Sequence, residues 1–132
     1  MKNYVLDSYS LIAYFEKDIG YKKIVTLLES TVNNNICLLM NIVNWGEIYY
    51  ITLREQGPDK AILFEENFEK LPIDLIYPDK KLIRNASKYK AFNSLSYADC
   101  IAAATADIND ALLVTGDKEF KKLEKEIKID WL

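Results

Sequence analysis

An α/β sandwich built on a mainly parallel sheet is the fold that the sequence predicts. Three observations lead to it. Short apolar runs alternate with longer amphipathic segments along the chain. The connections between them are short, as in packed layers of strands and helices. One run, residues 36–40, is apolar without interruption, the pattern of a strand covered on both faces.

Residues 4–6 read as the first strand, ending at Asp7. Residues 8–16 carry Leu11, Ile12, Tyr14 and Phe15 at helical spacing, with Gly20 as a stop. A second helix over 22–33 is marked by Ile24, Val25, Leu27, Leu28 and Val32, and Asn33-Asn34-Asn35 turns into the 36–40 strand. A helix over 42–54 runs out at Gln56-Gly57-Pro58, and 59–70 is again amphipathic. Pro72 and Pro78 bracket a third strand, 73–77, and 79–92 repeats Leu82, Ile83, Ala86 and Tyr89 at helical intervals. Ser96 is placed to cap a helix over 97–109. A fourth strand over 111–114, a short helix over 120–125 and a final strand over 127–131 complete the order. No repeat, low-complexity tract or Gly/Ser linker divides the chain, so residues 1–132 are expected to form a single domain. Ligands in such folds bind beyond the carboxyl ends of the strands, where Asp7 and Asp117 fall.

Histidine is absent, which removes Ser-His-Asp and Cys-His chemistry, His-ligated zinc and a His general base. Hydrolysis here must rest on carboxylates, Lys, Tyr, Ser or Thr, or on a carboxylate-bound metal. The 20 acids outnumber the 17 bases, so bulk charge does not make this a nucleic-acid coat. No apolar run approaches the ~20 residues of a membrane helix. Asp7 arrives too early for a secretory signal, and a cytoplasmic protein is expected. Cys37 and Cys100 lie in apolar stretches without metal-ligand spacing and read as reduced core thiols.

Four acids stand in unusual contexts. Asp7 and Asp117 sit at strand mouths, and each has an ordinary alternative, a helix cap for Asp7 and a turn for Asp117. Glu47 lies in Ile42-Val43-Asn44-Trp45-Gly46-Glu47-Ile48-Tyr49-Tyr50, where an acid is costly unless paired, protonated or bound to a cation. Its alternative is a solvated stripe through Asn44, Glu47 and Arg54. Asp99 is the one charge from Ser96 to Ala106, and Ala102, Ala103 and Ala106 follow it on the same helical face. That stripe of small residues lets the helix lie close to its neighbours and carry the carboxylate inward, and a surface position is the alternative. Converging carboxylates repel one another unless protons or a divalent cation intervene. Oxygen-only ligands suit Mg²⁺ or Mn²⁺, and metals so held serve phosphodiester hydrolysis.

The same residues resemble the PIN domain, and within it the VapC-type toxins of prokaryotic toxin–antitoxin pairs. The likeness is carried in order by Val5-Leu6-Asp7-Ser8-Tyr9-Ser10-Leu11, by Val43-Asn44-Trp45-Gly46-Glu47-Ile48, by Ser96-Tyr97-Ala98-Asp99-Cys100-Ile101 and by Leu113-Val114-Thr115-Gly116-Asp117-Lys118. It implies a three-layer α/β/α sandwich with about five parallel strands and a Mg²⁺- or Mn²⁺-dependent endoribonuclease. Asp7, Glu47, Asp99 and Asp117 are implied as metal ligands and water-activating groups, with Ser8 and Thr115 in support. A homodimer and a cognate antitoxin are also implied. Tyr9 and Asn41 depart from the family, which more often has a small polar residue and a Ser or Thr there.

Lys118, Lys121 and Lys122, with Lys80, Lys81 and Arg84, are expected to grip RNA phosphates, a solvated helix face being the alternative for each. Trp45, Tyr49 and Tyr50 are expected in the core or a dimer contact rather than stacked on bases. A catalytically inactive scaffold and a solitary RNA-processing nuclease remain alternative functions. A phosphoacceptor receiver domain is disfavoured, since the early acid is single and Asp74 lies inside a strand.

Overall fold

The computed structural model describes residues 1–33 and 35–132. β1 (Lys2–Leu6) leads into α1 (Ser8–Phe15) and α2 (Tyr21–Asn33). β2 (Ile36–Asn41) passes directly into α3 (Ile42–Gln56), which Gly57 separates from α4 (Pro58–Glu69). β3 (Ile73–Ile76), α5 (Lys80–Phe92), α6 (Tyr97–Ile108), β4 (Leu112–Thr115), a 3₁₀ helix (Lys118–Leu123) and β5 (Ile129–Trp131) follow. The elements are those the periodicity predicts, with shifts at their ends. The turn expected at Asn33-Asn34-Asn35 includes Asn34, which lies outside the described residues.

Local chemistry sets the boundaries. Asp7, Asn41, Asp79, Ser96 and Asp117 each cap a helix by accepting a backbone N–H in its first turn. The cap at Asp79 moves the expected 79–92 helix on by one residue. The cap at Asp117 starts the last helix at Lys118 rather than at 120, as a 3₁₀ turn. Gly57, at φ +92°, breaks α3 from α4, and Pro58 needs no N–H donor at the first position of α4.

The sheet has the order β3-β2-β1-β4-β5, and every neighbouring pair is parallel. From the central β1 the chain builds outward through β2 and β3, then crosses to lay β4 and β5 on the other side. The order reverses between β1 and β4, and the carboxyl ends of the strands at such a reversal are where doubly wound sheets take their ligands.

Alternating side chains divide the core between two faces. Val5, Leu39 and Leu113 pack under α5, α6 and the 3₁₀ helix, against Leu82, Ala86, Ala103, Phe120 and Leu123. Leu6, Leu38 and Val114 face α1 to α4, meeting Leu11, Ile24, Ile48, Phe64 and Phe68. The structure is thus the expected three-layer sandwich. Ala102, Ala103 and Ala106 are buried, so α6 lies close to the sheet, as their small size allows. Trp45 and Tyr49 stack at 5.5 Å and pack against the second core, whereas Tyr50 is exposed. Cys100 is buried and Cys37 half-buried, and both are free thiols. Among the described residues no helix is long and apolar enough to cross a membrane.

Candidate active site

Asp7 is the most enclosed of the four acids, 2% exposed at the end of β1. Its Oδ1 accepts the Ser10 N–H at 2.9 Å, which caps α1. Its Oδ2 accepts the Thr115 hydroxyl at 2.5 Å. The helix cap and the Thr115 contact therefore use different oxygens of one carboxylate. Burial pushes this carboxyl up to about 7, the hydrogen bonds from Thr115 and Ser10 oppose the rise, and the negative charge of Asp99 adds to it.

Thr115 closes β4 and joins the two strand mouths. While donating to Asp7, its hydroxyl oxygen accepts the Asp117 N–H at 3.0 Å. Asp117 is half-buried, and its Oδ1 takes the Glu119 N–H at 3.0 Å, starting the 3₁₀ helix. Between them Gly116 has no room for a side chain, since a Cβ there would stand 2.4 Å from the Tyr9 ring.

Glu47 comes from α3 and is half-buried, accepting a hydrogen bond from the Ser8 hydroxyl on Oε1. One turn earlier Asn44 is fully buried, and its Nδ2 donates to the Ala98 carbonyl of α6 at 3.1 Å. The solvated stripe through Asn44, Glu47 and Arg54 is therefore broken at Asn44; Arg54 faces water over the Tyr50 ring, and Glu47 is half-buried. Asn44 Oδ1 is buried and has no hydrogen-bond partner among the described residues. Asn41 is likewise buried. It accepts the Val43 N–H and donates to the Thr105 hydroxyl at 3.0 Å, so a cap at α3 also ties β2 to α6.

Asp99 lies in the first turn of α6, whose positive end favours a negative charge. The Ser96 hydroxyl accepts its N–H at 3.1 Å. Half-buried, the Asp99 carboxyl is pushed up to about 6, first by burial and next by the charge of Asp117. Ser96 opposes the rise, and Glu47 and Glu119 add to it. Asp99 thus senses Asp117 and Glu47, and Asp7 senses Asp99.

None of the ion pairs among the described residues reaches these four acids. As they stand, no three His, Cys, Asp or Glu among the described residues are gathered tightly enough to hold a metal ion. Of the expected phosphate-gripping lysines, Lys118 and Lys121 are exposed. Lys122 is engaged, donating to the Ser94 carbonyl at 2.8 Å and pairing with Glu119 at 2.5 Å. Two groups escaped the sequence reading. Asn44 carried only the signal of being polar one turn before Glu47, and Glu119 that of following Asp117 by two residues.

Comparison with known proteins bears on what such an arrangement is. The PIN domain family model matches residues 4–126, a span that holds all four acids. This chain belongs to the PIN domain family. Among solved structures this PIN domain is similar to a chain of VapBC2 from Rickettsia felis bound to a DNA fragment from their promoter (16% identity, 98% of each chain covered, TM-score 0.79). It is also similar to VapBC-1 from nontypeable Haemophilus influenzae (21% identity, 98% of this chain and 96% of that one, TM-score 0.72). A third likeness is to VapC20 of Mycobacterium tuberculosis, described as a sarcin–ricin loop cleaving toxin (13% identity, 90% of this chain and 93% of that one, TM-score 0.70). At these identities the likeness establishes the fold. No curated protein matches the sequence.

The donor set of this PIN domain suits a hard divalent cation. All the candidate ligands are carboxylate oxygens, and two of the carboxyls are pushed upward by burial, with neighbouring carboxylates adding to the rise. That surplus of negative charge has no basic partner in any ion pair among the described residues.

Proposed function

We propose that this PIN domain is a metal-dependent endoribonuclease, the toxin of a type II toxin–antitoxin pair. The observation that carries the reading is the Thr115 hydroxyl joining Asp7 to Asp117, beside an Asp99 carboxyl that feels the charges of Asp117 and Glu47, with none of these acids in an ion pair among the described residues. The likeness to VapBC complexes supports an antitoxin partner, and the likeness to a toxin that cuts the sarcin–ricin loop supports RNA as substrate. A homodimer and a cytoplasmic location belong to the same reading.

Asp7, Asp99 and Asp117 would hold Mg²⁺ or Mn²⁺, which supplies charge neutralisation at the scissile phosphate. Glu47 keeps Oε1 on the Ser8 hydroxyl, leaving Oε2 to take the proton of the attacking water. Thr115 fixes the rotamer of Asp7 and the backbone of Asp117 together. In-line attack of water on phosphorus breaks the bond to the 3′ oxygen and leaves a 5′-phosphate and a 3′-hydroxyl. Lys118 and Lys121 lie beside Asp117, exposed and able to meet flanking phosphates.

Titration of Mg²⁺ and Mn²⁺ into wild type and Asp99→Asn, with RNA cleavage and product ends as the readout, tests this. Metal-dependent cleavage by wild type alone, with 5′-phosphate ends, is expected. A 2′,3′-cyclic phosphate product would refute the mechanism, and metal-free inertness of both chains without metal binding would leave a scaffold.

A further inference from the structure

α5 differs in charge from the rest of the molecule. It carries Lys80, Lys81, Arg84, Lys88 and Lys90 and no acid, in a chain of net charge −3. Leu82, Ala86 and Tyr89 bury its inner face. Lys81, Arg84, Lys88 and Phe92 recur at steps of three and four residues and so form one outer stripe, exposed along its length. The three cations make no ion pair among the described residues. Asp107 of α6, which lines the same hollow as Lys81, Arg84 and Lys88, accepts a hydrogen bond from the Asn85 amide at 2.8 Å.

The stripe ends in an exposed ring. Phe92 is 86% exposed, where a phenyl group gains nothing from water. Only residues 93–96 separate it from the start of α6, so the stripe leads toward the turn that carries Asp99. Tyr97, 42% exposed, reaches α5 at Ser87, the two hydroxyls standing 3.5 Å apart. The cations from Lys81 to Lys88 span about 10 Å of helix.

We propose that this outer face of α5 binds a single-stranded segment of RNA, the cations taking backbone phosphates and Phe92 stacking on an unpaired base. The proposal rests on the nuclease reading above and specifies the form of its substrate. Phosphate contacts alone would serve single strands and duplexes alike. An exposed ring at the end of the cationic track selects the single strand, because paired bases hide their faces. A second copy meeting the chain through this same stripe would bring two sets of cations into one interface.

The test is binding of a short labelled oligoribonucleotide, and of its duplex, to the full-length chain in EDTA across a range of salt. Lys81→Glu, Arg84→Glu and Lys88→Glu together are expected to weaken single-strand binding at least tenfold. They should also reduce the slope of log affinity against log salt by about 2, at roughly 0.7 for each phosphate contact. Phe92→Ala is expected to weaken single-strand binding about fivefold or more, leaving the salt slope and duplex binding unchanged. All four positions are exposed, and circular dichroism checks that the variants fold. Unchanged affinity, equal losses on single strand and duplex from Phe92→Ala, or a wild type that binds no RNA would overturn the proposal. So would a Phe92→Ala chain that loses only self-association in sedimentation. RNA cutting that the α5 variants leave intact removes the track alone, whereas binding through α5 by a chain that never cuts removes the nuclease alone.

Discussion

The Thr115 hydroxyl donates to Asp7 Oδ2 across 108 residues of sequence, at 2.5 Å, in a place closed to solvent. Because its oxygen also accepts the Asp117 N–H, one hydroxyl sets both strand-mouth acids. Thr115→Val keeps the shape and removes both bonds. It is expected to cost about 2 kcal/mol in urea unfolding, since a buried acceptor loses its donor. Thr115→Ser should recover most of that loss and most of the activity.

Asp7 gives the metal-free protein a pH dependence of definite sign. The folded chain holds its proton up to about pH 7, whereas the unfolded carboxyl releases it near 3.8. The stability tied to that proton is complete below pH 3.8 and is lost as pH rises toward and through 7. The loss is about 4 kcal/mol. Asp7→Asn should flatten this part of the curve in denaturant titrations and abolish cleavage. A wild-type curve as flat as that of the variant would contradict the assignment.

Divalent metal should oppose that loss. A cation that binds ionised Asp7 and Asp99 competes with protons, so Mg²⁺ is expected to raise the melting temperature more at pH 8 than at pH 5. The difference should vanish in Asp7→Asn/Asp99→Asn. Scanning calorimetry at both pH values reads it without reference to catalysis.

Asn44 fastens α3 to α6 one turn from Glu47 and one residue from Asp99. Asn44→Ala is expected to cost about 1–2 kcal/mol of stability, with kcat falling further than KM rises. A change confined to stability would make the residue a packing group only.

Gly116 and Tyr9 make a testable pair. Gly116→Ala puts a methyl group into the Tyr9 ring, next to Asp117. Activity is expected to fall about tenfold, the equivalent of about 1.4 kcal/mol. Adding Tyr9→Ser, which clears the space, should restore it, and the double-mutant cycle measures the coupling.

What the sequence disclosed followed from local pattern. Asp99 could be picked out because no other charge interrupts its surroundings, and Ser96 marks its helix at short range, whereas Asp79, read as the first residue of its helix, is the cap. Asp7 was open to two readings, cap or site; the structure shows the cap on one oxygen and Thr115 on the other, so the cap does not displace the second reading. Asn44 was not legible. A polar residue on a helix looks the same whether it meets water or a neighbouring carbonyl, and only the approach of α6 decides. The lysines show the same limit. Lys122 and Lys88 are alike in sequence, yet the Ser94 carbonyl and Glu119 occupy the first. Strand order lay out of reach too, because the pairing of Tyr4 with Leu112 joins opposite ends of the chain.

That pairing has a consequence for the newly made chain. A polypeptide emerging from the ribosome carries Asp7 and Glu47 well before β4 can dock beside β1. Until then Asp7 lacks its Thr115 donor and Asp117 has no fixed place. If the domain is the nuclease proposed above, a nascent chain cannot cut before β4 docks, and cutting power arrives only with that step. Any inhibitor would need to be at hand only then.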